Sequence, residues 1–478
     1  MRAVVALLLL VSVVPATASD ALAGRRPNVV LILTDDQGYG DLGRHGNPVI
    51  KTPNLDRLYD ESARFVDFTV SPTCSPTRAA LMTGRHEFRN GVTHTINERE
   101  RLRLDATTVA QVLKGAGYTT GIFGKWHLGD EEAYRPERRG FDEVFIHGAG
   151  GIGQSYPGSC GDAPGNSYFN PAILHNGRFE KTKGYCTDVF FERAKAWIDA
   201  VKGTRPFFCY IATNAPHAPL HCPEKYAAMY PDQPADVAKF FGMVTNIDEN
   251  VGRLVGWLKT WGIERDTLVV FMNDNGGTVG VKVFNAGMRG QKVTPYRGGT
   301  RGMAFFRWPG AIAPGDRAAT AAHLDLFRTL ADLAGAKVPK DVRLDGRSLL
   351  PVLEDPRAPW SDRWLFTHVG RWPFGEAEGA KFAGCAIRHG RYRLVSAAQP
   401  AKGPSRPGPK WELFDIEADP GERRDLAASK PDVVDEMATA YDRWWDEVQP
   451  SFVNEDAYKT APKENPFREL YRRQFPGG

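Results

Sequence analysis

Apolar residues fall into two alternating kinds of segment along the chain. Short runs rich in β-branched and aromatic side chains occur at Val29–Leu33, Tyr118–Phe123, Phe207–Ile211 and Leu268–Met272. Such runs suit strands buried on both faces. Between them, apolar residues recur every three or four positions, as on a helix with one buried side. Thr107–Lys114 carries Val109, Val112 and Leu113 and stops at Gly115 and Gly117. Thr187–Val201 carries Val189, Phe190, Trp197, Ile198 and Val201; Asp236–Trp261 carries Phe240, Val244, Ile247, Val251, Leu254 and Leu258 before Gly262 ends it. Asp325–Leu333 reads as a further helix. The alternation predicts an α/β fold with a large mixed, mostly parallel sheet sandwiched by helices.

Pro339–Pro359 is punctuated by Pro, Gly and Asp like a boundary. Beyond it, Arg391–Val395 and Trp411–Asp415 alternate in polarity and Pro431–Val448 reads as a helix. That predicts a small C-terminal antiparallel sheet packed with a helix. The expected organisation is a catalytic domain over 25–355, a C-terminal α+β subdomain over 360–450, and a patternless tail over 451–478.

Composition excludes little but directs the reading. The 478 residues are 42% hydrophobic and 25% charged, with a net charge of +4. So small a charge gives no reason to expect a nucleic-acid partner. Arg85, Arg89, Arg99, Arg101 and Arg103 cluster locally, either as a solvated loop or as a rim attracting a sulfated substrate. Residues 1–18 resemble an export signal: Arg2, an apolar run from Ala3 to Val14, then Ala16-Thr17-Ala18. A second cut is conceivable after Ala23. The expectation is a periplasmic or secreted protein with no integral membrane segment after signal removal. Export permits disulfides among the six cysteines, and Cys160–Cys186 is the first pairing to test.

Chemistry-bearing residues stand just after the strand runs: Asp35 and Asp36, Lys125 and His127, His217, Asp274 and Asn275. In parallel sheets ligands bind beyond the carboxyl ends of the strands, so these residues should meet along one edge. Each acidic pair alone reads equally as a capping turn; together they offer only oxygens, which suits a hard cation. Cys74 stands where a helix could begin, with Pro76 preset for a first turn and Ala79-Ala80-Leu81-Met82 as helix formers. An isolated cysteine there would be read as structural.

The string Cys74-Ser75-Pro76-Thr77-Arg78 with the trailing Leu81-Met82-Thr83-Gly84-Arg85 resembles the signature of the type I, formylglycine-dependent sulfatases. Thr34 to Asp41, Lys51 to Leu58, Gly124 to Gly129, Pro216-His217 and Asp274-Asn275-Gly276 look like blocks of that family in its order, and Leu413 to Glu422 is similar to its C-terminal subdomain. The resemblance implies an alkaline phosphatase-like fold and an arylsulfatase-like hydrolysis of sulfate monoesters. It implies oxidation of Cys74 to formylglycine (3-oxoalanine) by a formylglycine-generating enzyme. It also implies one calcium ion held by Asp35, Asp36, Asp274, Asn275 and position 74. Arg78 and Lys125 would hold the aldehyde hydrate and sulfate, and His127 would take the proton that lets sulfate leave. His217 and Lys292 would stand at the bridging oxygen. Arg289-Gly290-Gln291-Lys292 and Tyr296-Arg297-Gly298-Gly299 depart from the family's Gly-Gly-Lys and Tyr-Glu-Gly-Gly.

Gly148–Tyr185, with Tyr156, Tyr168 and Phe169, has the look of an insertion that walls a pocket. The expected substrate is a sulfated carbohydrate, or an aryl sulfate. Two alternatives remain open at this point: a phosphoester or phosphonate monoester hydrolase of the same superfamily, and a secreted glycan-binding protein whose site is never matured.

Overall fold

Successive residues of the first strand feed opposite cores. In the computed structural model, which describes residues 21–476 except Tyr156, 399–407 and Lys463, Asn28–Thr34 (β1) is buried from Val29 onward. Val29, Leu31 and Leu33 join one apolar cluster; Val30 and Ile32 join another across the sheet. The other strands of the main sheet are Ala63–Phe65 (β2), Thr119–Lys125 (β3), Glu143–His147 (β4), Ala172–His175 (β5), Arg178–Lys181 (β6), Phe207–Ala212 (β7), Thr267–Asn273 (β8), Ala304–Arg307 (β9) and Gly315–Arg317 (β10). Their spatial order is β10-β2-β9-β8-β1-β7-β3-β4-β5-β6. The five central strands from β8 to β4 run parallel. The pairs β8–β9, β4–β5 and β5–β6 are antiparallel, which makes the sheet mixed as expected.

Helices Cys74–Thr83 (α1), Val109–Gly115 (α2), Cys186–Val201 (α3), Ala235–Thr260 (α4) and Asp325–Leu333 (α5) cover it. The apolar sides of α1, α2 and α5 pack on one face, and those of α3 and α4 on the other. The capping box between Thr108 and Gln111 starts α2 at Val109, two residues later than the pattern suggests. The C-terminal antiparallel sheet has four strands, Leu365–His368 (β11), Ala383–His389 (β12), Tyr392–Ala397 (β13) and Glu412–Asp415 (β14), packed with Pro431–Val448 (α6).

Three expectations change. The patternless tail holds a helix, Pro466–Gln474 (α7), capped by Asn465 and seated by Phe467 and Tyr471 on Phe179 of β6. Cys160 and Cys186 are not joined: all six thiols are free, Cys186 being drawn to the start of α3. Leu22 is fully buried in the core and its N–H donates to Glu354 at 2.6 Å, so a cut after Ala23 would remove a packed residue. The export signal at 1–18 and Tyr156 lie outside the described residues. No helix among the described residues is long and apolar enough to cross a membrane.

Candidate active site

Register decides where the polar residues meet. Thr34 pairs with Asn273, Leu33 with Ala212, Gly124 with Ala212 and Lys125 with His147, so the ends of β1, β8, β7, β3 and β4 lie level. Asp35, Asp274 and Lys125 therefore emerge side by side, all without exposed surface. Asp36 and His127 adopt left-handed backbone (φ 68° and 58°), strain that concentrates where geometry is held for function.

Cys74 is the first residue of α1, after extended Thr73, and is 2% exposed. Its Sγ lies 3.5 Å from His127 Nδ1. The other ring nitrogen, Nε2, is 2.8 Å from the carbonyl of Thr95 and donates to it, which leaves the Nδ1 lone pair facing the sulfur. Burial, with Lys125 and Arg78 close by, favours the neutral ring of His127 by pulling its pKa well below the ordinary value. Burial raises the Cys74 thiol, but Lys125 and Lys292 outweigh it and bring it below its usual range.

Three cations meet three carboxylates around this sulfur. Lys125 Nζ is 2.6 Å from Asp35 Oδ2, Arg78 2.8 Å from Asp274 Oδ2, and Lys292 Nζ 2.5 Å from Asp36 Oδ1. Arg78 also donates to the carbonyl of Lys125 at 3.2 Å. The Asn275 amide donates to Asp36 Oδ1 at 2.9 Å, and the Asp36 N–H to Asp274 Oδ1 at 3.2 Å. Burial pushes Asp35 and Asp274 up to about 6, the neighbouring carboxylates adding to it. Asp36 goes the other way: burial raises it, but Lys292 and His217 hold it well below the carboxylate range. Two oxygens in this group, Asp35 Oδ1 and Asn275 Oδ1, are buried without any hydrogen-bond partner. Orphaned oxygens beside carboxylates fit an oxygen-ligated cation.

His217 stands on the outer side. Its Nε2 is 3.8 Å from Asp36 Oδ2 and its Nδ1 2.5 Å from the Ala218 carbonyl. Burial drops its pKa to about 4, Asp36 opposing and Lys292 assisting. With Asp35 and Asp36 it also forms a group close enough to share an ion. All ten residues singled out in the sequence are thus in one place, Lys292 included despite its altered surroundings. The segment bearing it is clamped to the acidic turn: Lys292 N–H donates to the Gly277 carbonyl, and a Cβ on Gly276 would lie 2.0 Å from the Gly298 oxygen.

The sulfatase family profile matches residues 27–336, and that of the "N-sulphoglucosamine sulphohydrolase, C-terminal" family matches 293–442. Arylsulfatase A of Homo sapiens is 34% identical over 463 residues, covering 88% of each chain. The chain belongs to the sulfatase family. It is a sulfuric ester hydrolase. The N-acetylgalactosamine-6-sulfatase of Mus musculus is 34% identical over 380 residues, 73% of this sulfatase and 70% of the relative. The solved structure of Ps i-CgsB with k-i-k-neocarrahexaose superposes with a TM-score of 0.78 at 31% identity, covering 93% of this chain and 100% of that one.

Other parts of the sulfatase's site are silent in the sequence. The Thr95 carbonyl that orients His127 is backbone and carries no residue signal. The insertion does wall the site: a Cβ on Gly150 would lie 3.1 Å from His127, and one on Gly151 3.0 Å from His217. Tyr168 belongs to it too, donating to the His217 carbonyl at 2.6 Å. Three of the five clustered arginines are not solvated, while Arg85 and Arg103 remain partly exposed. Arg89, Arg99 and Arg101 are buried and paired with Asp345, Glu455 and Glu131.

Proposed function

We propose that this sulfatase works through Cys74 matured to formylglycine, with calcium held by Asp35, Asp36, Asp274 and Asn275, and that it acts on a sulfated carbohydrate outside the cytoplasm. The observation that carries the reading is a buried sulfur at a helix start, facing a histidine lone pair and ringed by Arg78, Lys125, Lys292 and an oxygen-only donor set with two orphaned oxygens. When bound, calcium would neutralise charge on sulfate oxygens; the matured side chain would supply an aldehyde-hydrate oxygen as nucleophile.

The chain's own groups have distinct tasks. Arg78, Lys125 and Lys292 supply fixed positive charge where a transferring sulfuryl group would sit, without reorganisation during reaction. His127 Nδ1 is placed to accept a proton from the group at position 74. His217, 14% exposed and with Nε2 at 3.8 Å from Asp36 Oδ2, is the group we assign to the leaving oxygen. The carbohydrate reading rests on the insertion that walls the site and on the relative solved with k-i-k-neocarrahexaose. We assign the catalytic portion to 25–355 and the α+β portion to 360–450.

Mass spectrometry of the peptide holding Cys74 tests maturation, which exchanges the thiol and one hydrogen for a carbonyl oxygen. Cys74→Ala should fold and lose turnover of both nitrophenyl sulfate and sulfated oligosaccharides. A Cys74→Ala protein with near wild-type turnover refutes the reading. Metal analysis finding stoichiometric zinc, with His217 completing Asp35 and Asp36, would overturn the calcium assignment.

A further inference from the structure

A second group of cations lies where the C-terminal sheet meets the main body. Arg297, Arg301, Arg388 and Arg393 converge between an open groove of about 1000 Å³ and a void of about 20 Å³ that share Asp67, Arg297, Arg301, Arg388 and Ile416 in their walls. None of the ten residues around Cys74 lines either space. Arg297 stands in the Tyr296-Arg297-Gly298-Gly299 turn, as the first residue of its single helical turn.

The charges do not balance. Arg393 is satisfied by Glu422, the Pro295 carbonyl and Thr300 Oγ1. Arg388 reaches Asp67 Oδ2 at 3.0 Å, but its Nε has no partner. Arg301 lies over the Tyr39 ring at 3.9 Å and donates to the Val66 carbonyl and the Tyr39 hydroxyl; its Nε also has no partner. Arg297 is 7% exposed, its nearest carboxylate oxygen is Asp67 Oδ1 at 3.9 Å, and among the described residues its guanidinium makes no hydrogen bond. Among the described residues Asp67 is the one carboxylate within 4.0 Å of the Arg297 and Arg388 guanidinium groups, Glu422 being taken by Arg393. Burial, helped by Arg301 and Arg393 and opposed by Asp67, lowers the Arg297 pKa to about 10. Charge left unpaired in a buried site is costly, and planar guanidinium forks match tetrahedral oxyanions.

We propose that Arg297, Arg301 and Arg388 form a second oxyanion site on the floor of this groove, which takes a sulfate group either as the free ion or as an ester on a glycan. The site is linked to the catalytic one by backbone. Arg297 opens the turn whose Gly299 carbonyl accepts from Gly276 N–H, next to Asn275, and the same segment carries Lys292. An anion seated there braces the strand of chain that holds both residues.

Calorimetric titration with inorganic sulfate counts the sites. Arg388→Gln and Arg297→Glu should each bind one sulfate per chain fewer than wild type, or bind it at least about tenfold more weakly at that site. Arg388→Gln is the milder change and should keep wild-type turnover of nitrophenyl sulfate without added sulfate. Crystals soaked in selenate should show selenium between Arg297, Arg301 and Arg388 in wild type and lose it in Arg388→Gln. A parallel titration with dextran sulfate oligosaccharides separates the sources: tighter binding per sulfate group than the inorganic ion assigns the site to a glycan, weaker binding to the free ion. Equal stoichiometry and affinity in wild type and both variants, or selenium only beside Cys74, overturns the proposal. Unmatured protein serves equally well, so failure of the formylglycine reading leaves this result unaffected.

Discussion

Asp35→Asn separates a cation ligand from a merely buried acid. The substitution keeps the shape of the side chain and removes its charge. Asp35 Oδ2 is already taken by Lys125, whereas Oδ1 is the orphan that a cation would satisfy. A ligand that binds only the folded chain stabilises it by about 2.7 kcal/mol at 100 times its dissociation constant. Unfolding entropy of about 2.1 cal/mol/K per residue over 478 residues converts that to a rise of about 3 °C. Outer-sphere partners of a metal are worth about 10–100-fold in affinity, so a direct ligand should be worth about 100-fold or more. At the same calcium concentration the variant would keep about 0.4 kcal/mol, or about 0.4 °C. The assay is scanning calorimetry of both proteins with chelator and with calcium. Only the calcium increment is read, because the variant's baseline falls anyway: breaking the buried pair with Lys125 costs about 3–5 kcal/mol. An equal increment in both proteins refutes Asp35 as a ligand, and no increment in wild type refutes the site.

Other outcomes test neighbouring parts. Calcium affinity of the metal-free protein should fall as pH drops through about 6, because Asp35 and Asp274 are raised to about 6 and bind protons in competition with the ion; titrations from pH 8 to 5 check the sign. His217→Ala should reduce kcat/KM about 10²–10⁴-fold for a sugar sulfate but far less for nitrophenyl sulfate, whose leaving group needs no proton. Equal losses would make His217 a binding residue and Lys292 the better acid. Leu22→Ala should destabilise the chain by about 2–5 kcal/mol in denaturant unfolding, as for a fully buried leucine. A loss below about 0.5 kcal/mol would mean that Leu22 is dispensable and a cut after Ala23 tolerable.

The central strands were legible because both faces of the sheet are covered, which writes an uninterrupted apolar run into the chain. Seven of the ten site residues were legible for a related reason: residues that follow such runs have only one edge of the sheet to occupy. Cys74, Arg78 and Lys292 follow no such run and were marked only by the family resemblance. Shorter outer elements carry weaker marks. The hairpin of β5 and β6 turns on Asn176-Gly177, both at positive φ, and that dipeptide was its signal. β12 contains Gly384 and a register shift, so its alternation is broken. α7 buries only Phe467 and Tyr471 among charged neighbours, too few for a period. Misreading the arginines has another cause. The partners of Arg89 and Arg99 are Asp345 and Glu455, hundreds of positions away, and local composition cannot reveal them.

Apolar packing on both faces leaves β1 with little preference between neighbouring alignments, since a slip by one residue would still bury valine, leucine or isoleucine on either side. What distinguishes the native alignment is polar and sits at the two ends. Asn28 joins Thr267 and Phe207 at the start, and Asp35 receives Lys125 at the finish. A slip of one residue would carry that carboxylate about 3.3 Å along the strand and strand Lys125 in the interior. The acids that equip the protein for chemistry therefore also act as stops against misalignment, and chains altered at Asp35 should recover fewer correctly paired molecules on refolding even when supplied with every ion they need.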